Sequence, residues 1–191
     1  MIVMMLGRVR LTPVCLLLLF LGTSGRAAEP KSLTETYEIY SALLSDPSVS
    51  HSDRNSKYVI ADRTLVSKQM ADTPDTPCLR TPQLSPENLA QIMSDFRRHK
   101  DVRVPLQRIF SLSKPYVLLS PQQIVEFEKR PSPPPAADPD SGAQDLIRLS
   151  NVFFNQSRTV AMVYVSARCG GLCGEWGWRV LQKTSSGTGR L

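Results

Sequence analysis

The chain has 191 residues, 41% of them hydrophobic, and a formal net charge of +6. Its first 27 residues contain Arg8, Arg10 and Arg26 and no acidic residue, so their removal lowers the net charge to +3. So small an excess gives no basis for nucleic-acid binding, and we expect no nucleic-acid partner. The remaining residues, about 160, suit one domain with a hydrophobic core.

The N-terminal segment has the three-part pattern of a secretory signal peptide. Residues 1–10 include two arginines, residues 11–21 form an apolar run, and residues 22–27 are mostly small. The run is shorter than the ~20 residues that a transmembrane helix needs. We predict cleavage after Ala27, which delivers the mature chain to the periplasm or the extracellular space without a membrane anchor. An uncleaved signal anchor is the alternative.

Residues 28–129 are predicted to form a mixed region with three amphipathic helices and a short strand at 57–61. Each helix follows a serine whose side chain can accept a hydrogen bond from a first-turn amide. In the second and third helices a proline comes next, where its missing N–H costs nothing. Apolar residues then recur at helical spacing. The capping serines are Ser32, Ser85 and Ser120.

Residues 130–143 are rich in proline and poor in apolar residues, which predicts a semi-rigid exposed connector. Residues 144–191 then read as an antiparallel β-meander. Both faces of residues 160–165 are apolar, as in a central strand, whereas the strands before and after are half polar and are predicted nearer the sheet edges. With the helices covering this sheet, the chain is predicted to be a single α+β domain.

Cys169 and Cys173 flank three residues at the predicted tip of the second hairpin of this meander. Strand partners at such a tip lie within the range that a disulfide tolerates, and export places them in an oxidising compartment. We predict a Cys169–Cys173 disulfide. A zinc site completed by Cys78 and either His51 or His99 is an alternative, but no second paired motif supports it. We therefore expect no metal and no cofactor.

Catalytic constellations are hard to assemble from this sequence. Its two histidines, His51 and His99, lie in neither a Gly-x-Ser-x-Gly nor a metal-ligand setting, and neither a carboxylate pair nor a phosphate-binding glycine loop is evident. Glu175 is the one acid in a suggestive place, beside the predicted hairpin tip, although a solvated glutamate is the plainer interpretation. We expect a protein without catalytic activity.

Trp176 and Trp178 alternate by two, so both indoles are predicted to project from one face of the last long strand. One interpretation is that they belong to the core that covers the sheet. The other is an aromatic platform for a sugar, a peptide or a partner protein, with Glu175 beside it. Both interpretations stay open at the level of sequence.

The C-terminal region resembles a family of uncharacterised exported bacterial proteins. The matching segments are Leu149-Ser-Asn-Val-Phe-Phe-Asn155, Thr159-Val-Ala-Met-Val-Tyr-Val165, Cys169-Gly-Gly-Leu-Cys-Gly174 and Trp178-Arg-Val-Leu-Gln-Lys183. The resemblance implies a signal peptide, an α+β domain and the hairpin cysteine pair, but no activity or catalytic residue. Such relatives end in a further Gly-x-Trp strand, which residues 186–191 do not reproduce.

These observations lead to two hypotheses about function. The first is a small exported binding or interaction protein of the bacterial envelope, non-catalytic, whose partner is an unknown protein or envelope ligand. The second is an exported hydrolase of unrecognised type with a site that gathers Glu175, the tip of the cystine hairpin and an acid from the helices.

Overall fold

A computed structural model describes residues 33–50, 56–74, 84–130, 145–168, 174–184 and 187–190 of the chain. All of them belong to one compact unit, Lys31–Leu191. Several sequence predictions lie outside the described residues. These are the signal peptide, the connector after residue 130, the Cys169–Cys173 disulfide, and the positions of His51 and Cys78.

Within the described residues the chain forms four α-helices, a short 3-10 helix and seven strands. The helices are α1 (Leu33–Ser45), α2 (Pro47–Ser50), α3 (Pro86–His99) and α4 (Pro121–Glu128), with the 3-10 turn at Ser67–Gln69. The strands are β1 (Tyr58–Ala61), β2 (Tyr116–Leu119), β3 (Leu146–Leu149), β4 (Phe153–Phe154), β5 (Val160–Arg168), β6 (Gly174–Thr184) and β7 (Gly187–Arg190).

Local sequence accounts for the starts of α3 and α4. The Ser85 hydroxyl accepts a hydrogen bond from the Asn88 amide at 3.2 Å, and proline occupies the first turn of both helices. Ser120 and Gln123 form a reciprocal capping box, in which the Gln123 side chain accepts from the Ser120 amide at 2.9 Å. Both predicted helix starts are confirmed. None of the helices in the described part of the chain has the length and apolar character needed to cross a bilayer.

The strands form one mixed sheet in the order β2-β1-β3-β5-β6-β7, with β4 paired to β5. The predicted α+β class is confirmed, and β3, β5 and β6 form the expected antiparallel meander. β7 is a further antiparallel strand that was not predicted. β1 and β2 also extend the sheet, since β1 is parallel to both β2 and β3. Parallel neighbours need long crossover connections, and the segments that contain α3 and α4 supply them.

The two half-polar strands were predicted to lie nearer the sheet edges than β5, which is wrong for β3 but holds for β6, with only β7 beyond it. β3 lies between β1 and β5, and β6 lies between β5 and β7, so β2 and β7 end the described sheet. A half-polar strand can occupy the interior when a helix supplies a partner for its polar side chain. In β3 the polar side chain is Arg148, and α4 supplies its partner: Nη2 of Arg148 donates to Oε1 of Glu128 at 2.7 Å.

Successive residues of a strand point to opposite faces, which divides the core into two layers. On one face α1 packs on the sheet, and Tyr40, Leu44 and Val163 are almost fully buried there. On the opposite face α3 packs over Met162 and Phe153. The same face carries a smaller cluster, in which Ile124 and Phe127 of α4 lie against Val59 and Leu146.

Candidate interaction surface on the sheet

The two tryptophans of β6 lie on one face of the sheet, as predicted, but their environments differ. Trp178 stands opposite Tyr164 on β5, and Trp176 stands opposite Ser166. The Trp178 ring packs edge-on against Phe96 of α3 at 5.5 Å, and its Nε1 donates to the carbonyl oxygen of Asp72 at 3.2 Å. Trp176 is 54% exposed, more than any other large hydrophobic side chain in the described part of the chain. The core interpretation therefore applies to Trp178 and the surface interpretation to Trp176.

Trp176 is exposed because the helices on its face pack elsewhere. α3 covers the sheet around Met162 and Val180, and α4 covers Leu146 at the other side. The row Trp176, Ser166 and Arg148 crosses β6, β5 and β3 between these two areas. This row forms a strip of sheet in which Ser166 and Arg148 are partly buried, and it ends in the exposed indole of Trp176.

Positive charge flanks the strip. Oε1 of Glu128 accepts from Nη2 of Arg148 at 2.7 Å and lies 3.4 Å from Nη1 of Arg168, so the two guanidinium groups share this carboxylate oxygen. The Arg168 side chain is half exposed. Glu128 therefore holds both guanidinium groups on the same face of the sheet as Trp176.

Glu175 does not share the face of the tryptophans. It projects from the opposite face together with Arg179, whose Nη2 is 2.5 Å from Oε1 of Glu175. The Arg179 side chain passes close to Gly177, where an added Cβ would lie 3.0 Å from Nη1. Gly177 has a φ of +155°, which side-chain-bearing residues rarely adopt, so both backbone and space favour glycine here.

Half of β6 has an open edge. β5 pairs with β6 along Gly174–Gln182, whereas β7 pairs with it only along Leu181–Thr184. No strand among the described residues therefore lies beside 174–180 on the side away from β5. We call this segment the open edge.

The hydrogen-bond alternation of β6 decides which backbone groups face the open edge. The Lys183 amide donates to the Thr159 carbonyl on the β5 side at 2.8 Å. Antiparallel ladders alternate, so the backbone groups of Trp176 and Trp178 point away from β5. In agreement, the carbonyl oxygen of Trp178 accepts from Nη1 of Arg179 at 3.3 Å.

A buried acid of α3 was missed by the sequence analysis. Asp95 accepts from the Phe154 amide with Oδ2 at 2.9 Å, and its Oδ1 is 2.8 Å from Nδ1 of His99. Asp95 and His99 are four residues apart in a predicted helix, and this spacing could have indicated that their side chains are neighbours. The Asp95 side chain fastens α3 to β4. In the described part of the chain no group of three or more histidine, cysteine or acidic residues is placed to hold a metal ion.

Beside Asp95 lies a polar groove of about 430 Å³ between α3 and the turn that precedes β5. Arg158 lines it with a φ of 58° and its guanidinium 4.2 Å from the Phe154 ring centre. Nε of Arg158 binds Oε2 of Glu35 at 2.5 Å, and Nη2 is buried with no hydrogen-bond partner among the described residues. No sequence pattern indicated this groove.

Comparison with protein-family models, curated proteins and solved structures finds no match to this chain. The resemblance of residues 149–183 to exported bacterial proteins remains a prediction.

Proposed function

We propose that the mature chain is an exported, non-catalytic interaction protein of the bacterial envelope. It would bind its partner through the Trp176 surface, defined as Trp176, Ser166, Arg148, Arg168 and the open edge of β6. The observation that carries this proposal is the 54% exposed indole of Trp176 beside strand backbone that faces no described strand. The signal-peptide pattern of residues 1–27 supports the compartment.

The physical chemistry of this surface suits protein recognition. Tryptophan and arginine are enriched among the residues that dominate binding energy at interfaces. An open strand edge can accept an extended segment by main-chain hydrogen bonds, while neighbouring side chains provide specificity. The Trp176 surface combines both features within a few residues of β6.

The hydrolase hypothesis has weaker support. Its nominated acid, Glu175, is held in an ion pair with Arg179 on the face opposite Trp176. His99 lies at the end of α3 and contacts Asp95 of the same helix. No specific observation brings these two groups together.

The test compares retention of periplasmic proteins by three forms of the immobilised mature chain. Wild type and an Ile109→Ala control should retain the same species, since Ile109 is comparably exposed but lies in the loop before β2. Trp176→Ala should reduce retention at least ~10-fold, because loss of a central aromatic anchor typically costs that much. Equal retention by all three forms, or substrate turnover abolished by Glu175→Gln, would overturn the proposal.

A further inference from the structure

We infer that the open edge of β6 pairs with the same edge of a second copy of this chain, giving a two-fold dimer with one continuous sheet. This inference rests on the proposed function, since it names the partner of the Trp176 surface. The segment that carries it is Glu175-Trp176-Gly177-Trp178-Arg179.

The segment is chemically symmetric about Gly177. It reads acid, tryptophan, glycine, tryptophan, base, so antiparallel pairing with itself brings opposite charges together at the ends and identical residue types together between them. Glu175 stands opposite the second copy's Arg179, and Trp176 stands opposite the second copy's Trp178. A two-fold interface requires this self-complementarity, in which residue i meets j and j meets i.

The backbone hydrogen-bonding groups of β6 point in the direction that this pairing requires. The N–H and C=O groups of Trp176 and Trp178 face the open edge, so each tryptophan can exchange hydrogen bonds with the tryptophan opposite it in the second copy. The Trp178 carbonyl, which already accepts from Arg179, has a second lone pair for this bond. Gly177 then stands opposite Gly177 of the second copy on the two-fold axis, and these two glycines form a non-hydrogen-bonded pair. Opposing Cα atoms approach to about 4.5 Å in such pairs, and glycine places no side chain between them.

Side-chain directions agree with the same register. Residues opposite one another in antiparallel strands point to the same face, so the two Glu175 and Arg179 pairs meet on one face and the four indoles meet on the other. Opposite charges and aromatic pairs across strands both stabilise a sheet, whereas like charges destabilise it. The ion pair within each chain becomes part of an alternating network of four groups.

The composition of the open edge is compatible with pairing to a second copy. Exposed edges are commonly blocked by charged side chains, especially lysine, by proline or by a bulge. Residues 174–180 contain neither lysine nor proline, their pairing with β5 continues without interruption, and their two charges have opposite signs. Pairing with a second copy sets each of these charges opposite one of the other sign, which favours a second copy as the occupant.

Charge exchange tests the pairing between chains. Sedimentation velocity of the mature wild-type chain should give twice the monomer mass. Glu175→Arg leaves positive charges at both 175 and 179, and Arg179→Glu leaves negative charges at both. Like charges then meet across the interface, so the dissociation constant of each variant's dimer should rise at least ~10-fold. An equimolar mixture of the two variants should restore a dimer, because opposite charges then meet between chains but not within them. Glu126→Arg on exposed α4 is the matched control and should remain dimeric.

The Arg179 side chain is largely buried, so a measurement on wild type keeps the test independent of whether its variants fold. The Trp176 and Trp178 amides should exchange with deuterium more slowly in concentrated than in dilute solution. A monomeric wild type, a mixture of folded variants that stays monomeric, or exchange independent of concentration would overturn the inference. A monomer whose retention of periplasmic proteins still depends on Trp176 overturns self-pairing alone, whereas retention independent of Trp176 overturns the proposed function.

Discussion

The hydroxyl group of Tyr40 in α1 donates a hydrogen bond of 2.7 Å to the carbonyl oxygen of Ser150, 110 residues further along the chain. Both residues are buried. Ser150 in turn accepts from the Tyr164 amide with its Oγ at 2.9 Å, so the bond ties α1 to the centre of the sheet. Burial disfavours the ionised form of Tyr40 and raises its pKa far above the ordinary value.

Stability should therefore fall in alkaline solution. Burial raises the pKa of Tyr37 and Tyr164 as well, although a backbone hydrogen bond to each hydroxyl opposes the shift. A folded-state pKa above the ordinary 10.0 means that the unfolded chain loses these protons first. The contribution of the three protonated hydroxyls to the free energy of unfolding is fully present below pH 10 and declines as the pH rises further. Urea denaturation at a series of pH values measures the decline.

Tyr40→Phe is the control for this pH dependence. It should lower the free energy of unfolding at neutral pH by about 1 kcal/mol, because it removes the donor to Ser150. It should also make the alkaline decline shallower than in wild type. A decline of unchanged slope would contradict the assignment to Tyr40.

Asp95→Ala should lower the free energy of unfolding by about 2 kcal/mol, because it removes a buried acceptor from the Phe154 amide. Asp95→Asn should lower it less, since an amide oxygen can still accept that bond. Glu126→Gln is the control. Glu126 pairs with Lys129 on the surface, where ion pairs contribute little. Similar losses for the Asp95→Ala and Glu126→Gln variants would contradict the role of Asp95.

Substitution of the two tryptophans should lower the free energy of unfolding by different amounts. Trp178→Ala should lower the free energy of unfolding by about 3 kcal/mol, because its ring packs against Phe96 and Tyr164. Trp176→Ala should change the stability of the monomer by less than about 0.5 kcal/mol, as surface substitutions do. Chemical denaturation in dilute solution checks both values. Equal losses would show that Trp176 belongs to the core.

The predicted disulfide is tested by counting thiols in the mature chain. Export should leave a chain that begins at Ala28 and holds Cys78, Cys169 and Cys173. Alkylation without reduction should label Cys78 alone, and mass spectrometry should find two more labels after reduction. Three labels before reduction, or a product that retains residues 1–27, would contradict the predicted pairing or the predicted cleavage.

Much of the local structure was readable from the sequence. Ser85 and Ser120 begin α3 and α4 because a serine followed by proline satisfies a first-turn amide with little dependence on the rest of the chain. The alternation of Trp176 and Trp178 likewise placed both indoles on one face, since strand geometry fixes side-chain direction. The central position of β5 followed from its two apolar faces.

The site depended on neighbours that sequence spacing does not reveal. Arg148 makes β3 half polar, yet β3 lies inside the sheet because Glu128 approaches from α4. The tryptophans have the same alternation and residue type, but α3 reaches only Trp178.

The sequence alone determined the helix starts, the direction of each strand side chain, and the chemical symmetry of residues 175–179. These depend on residues a few positions apart, whose geometry the backbone dictates. Only the tertiary structure decided the strand order, the burial of Asp95 and the open edge of β6. Those depend on which distant segments pack together, because the free energy of burial belongs to the whole set of contacts rather than to any one residue.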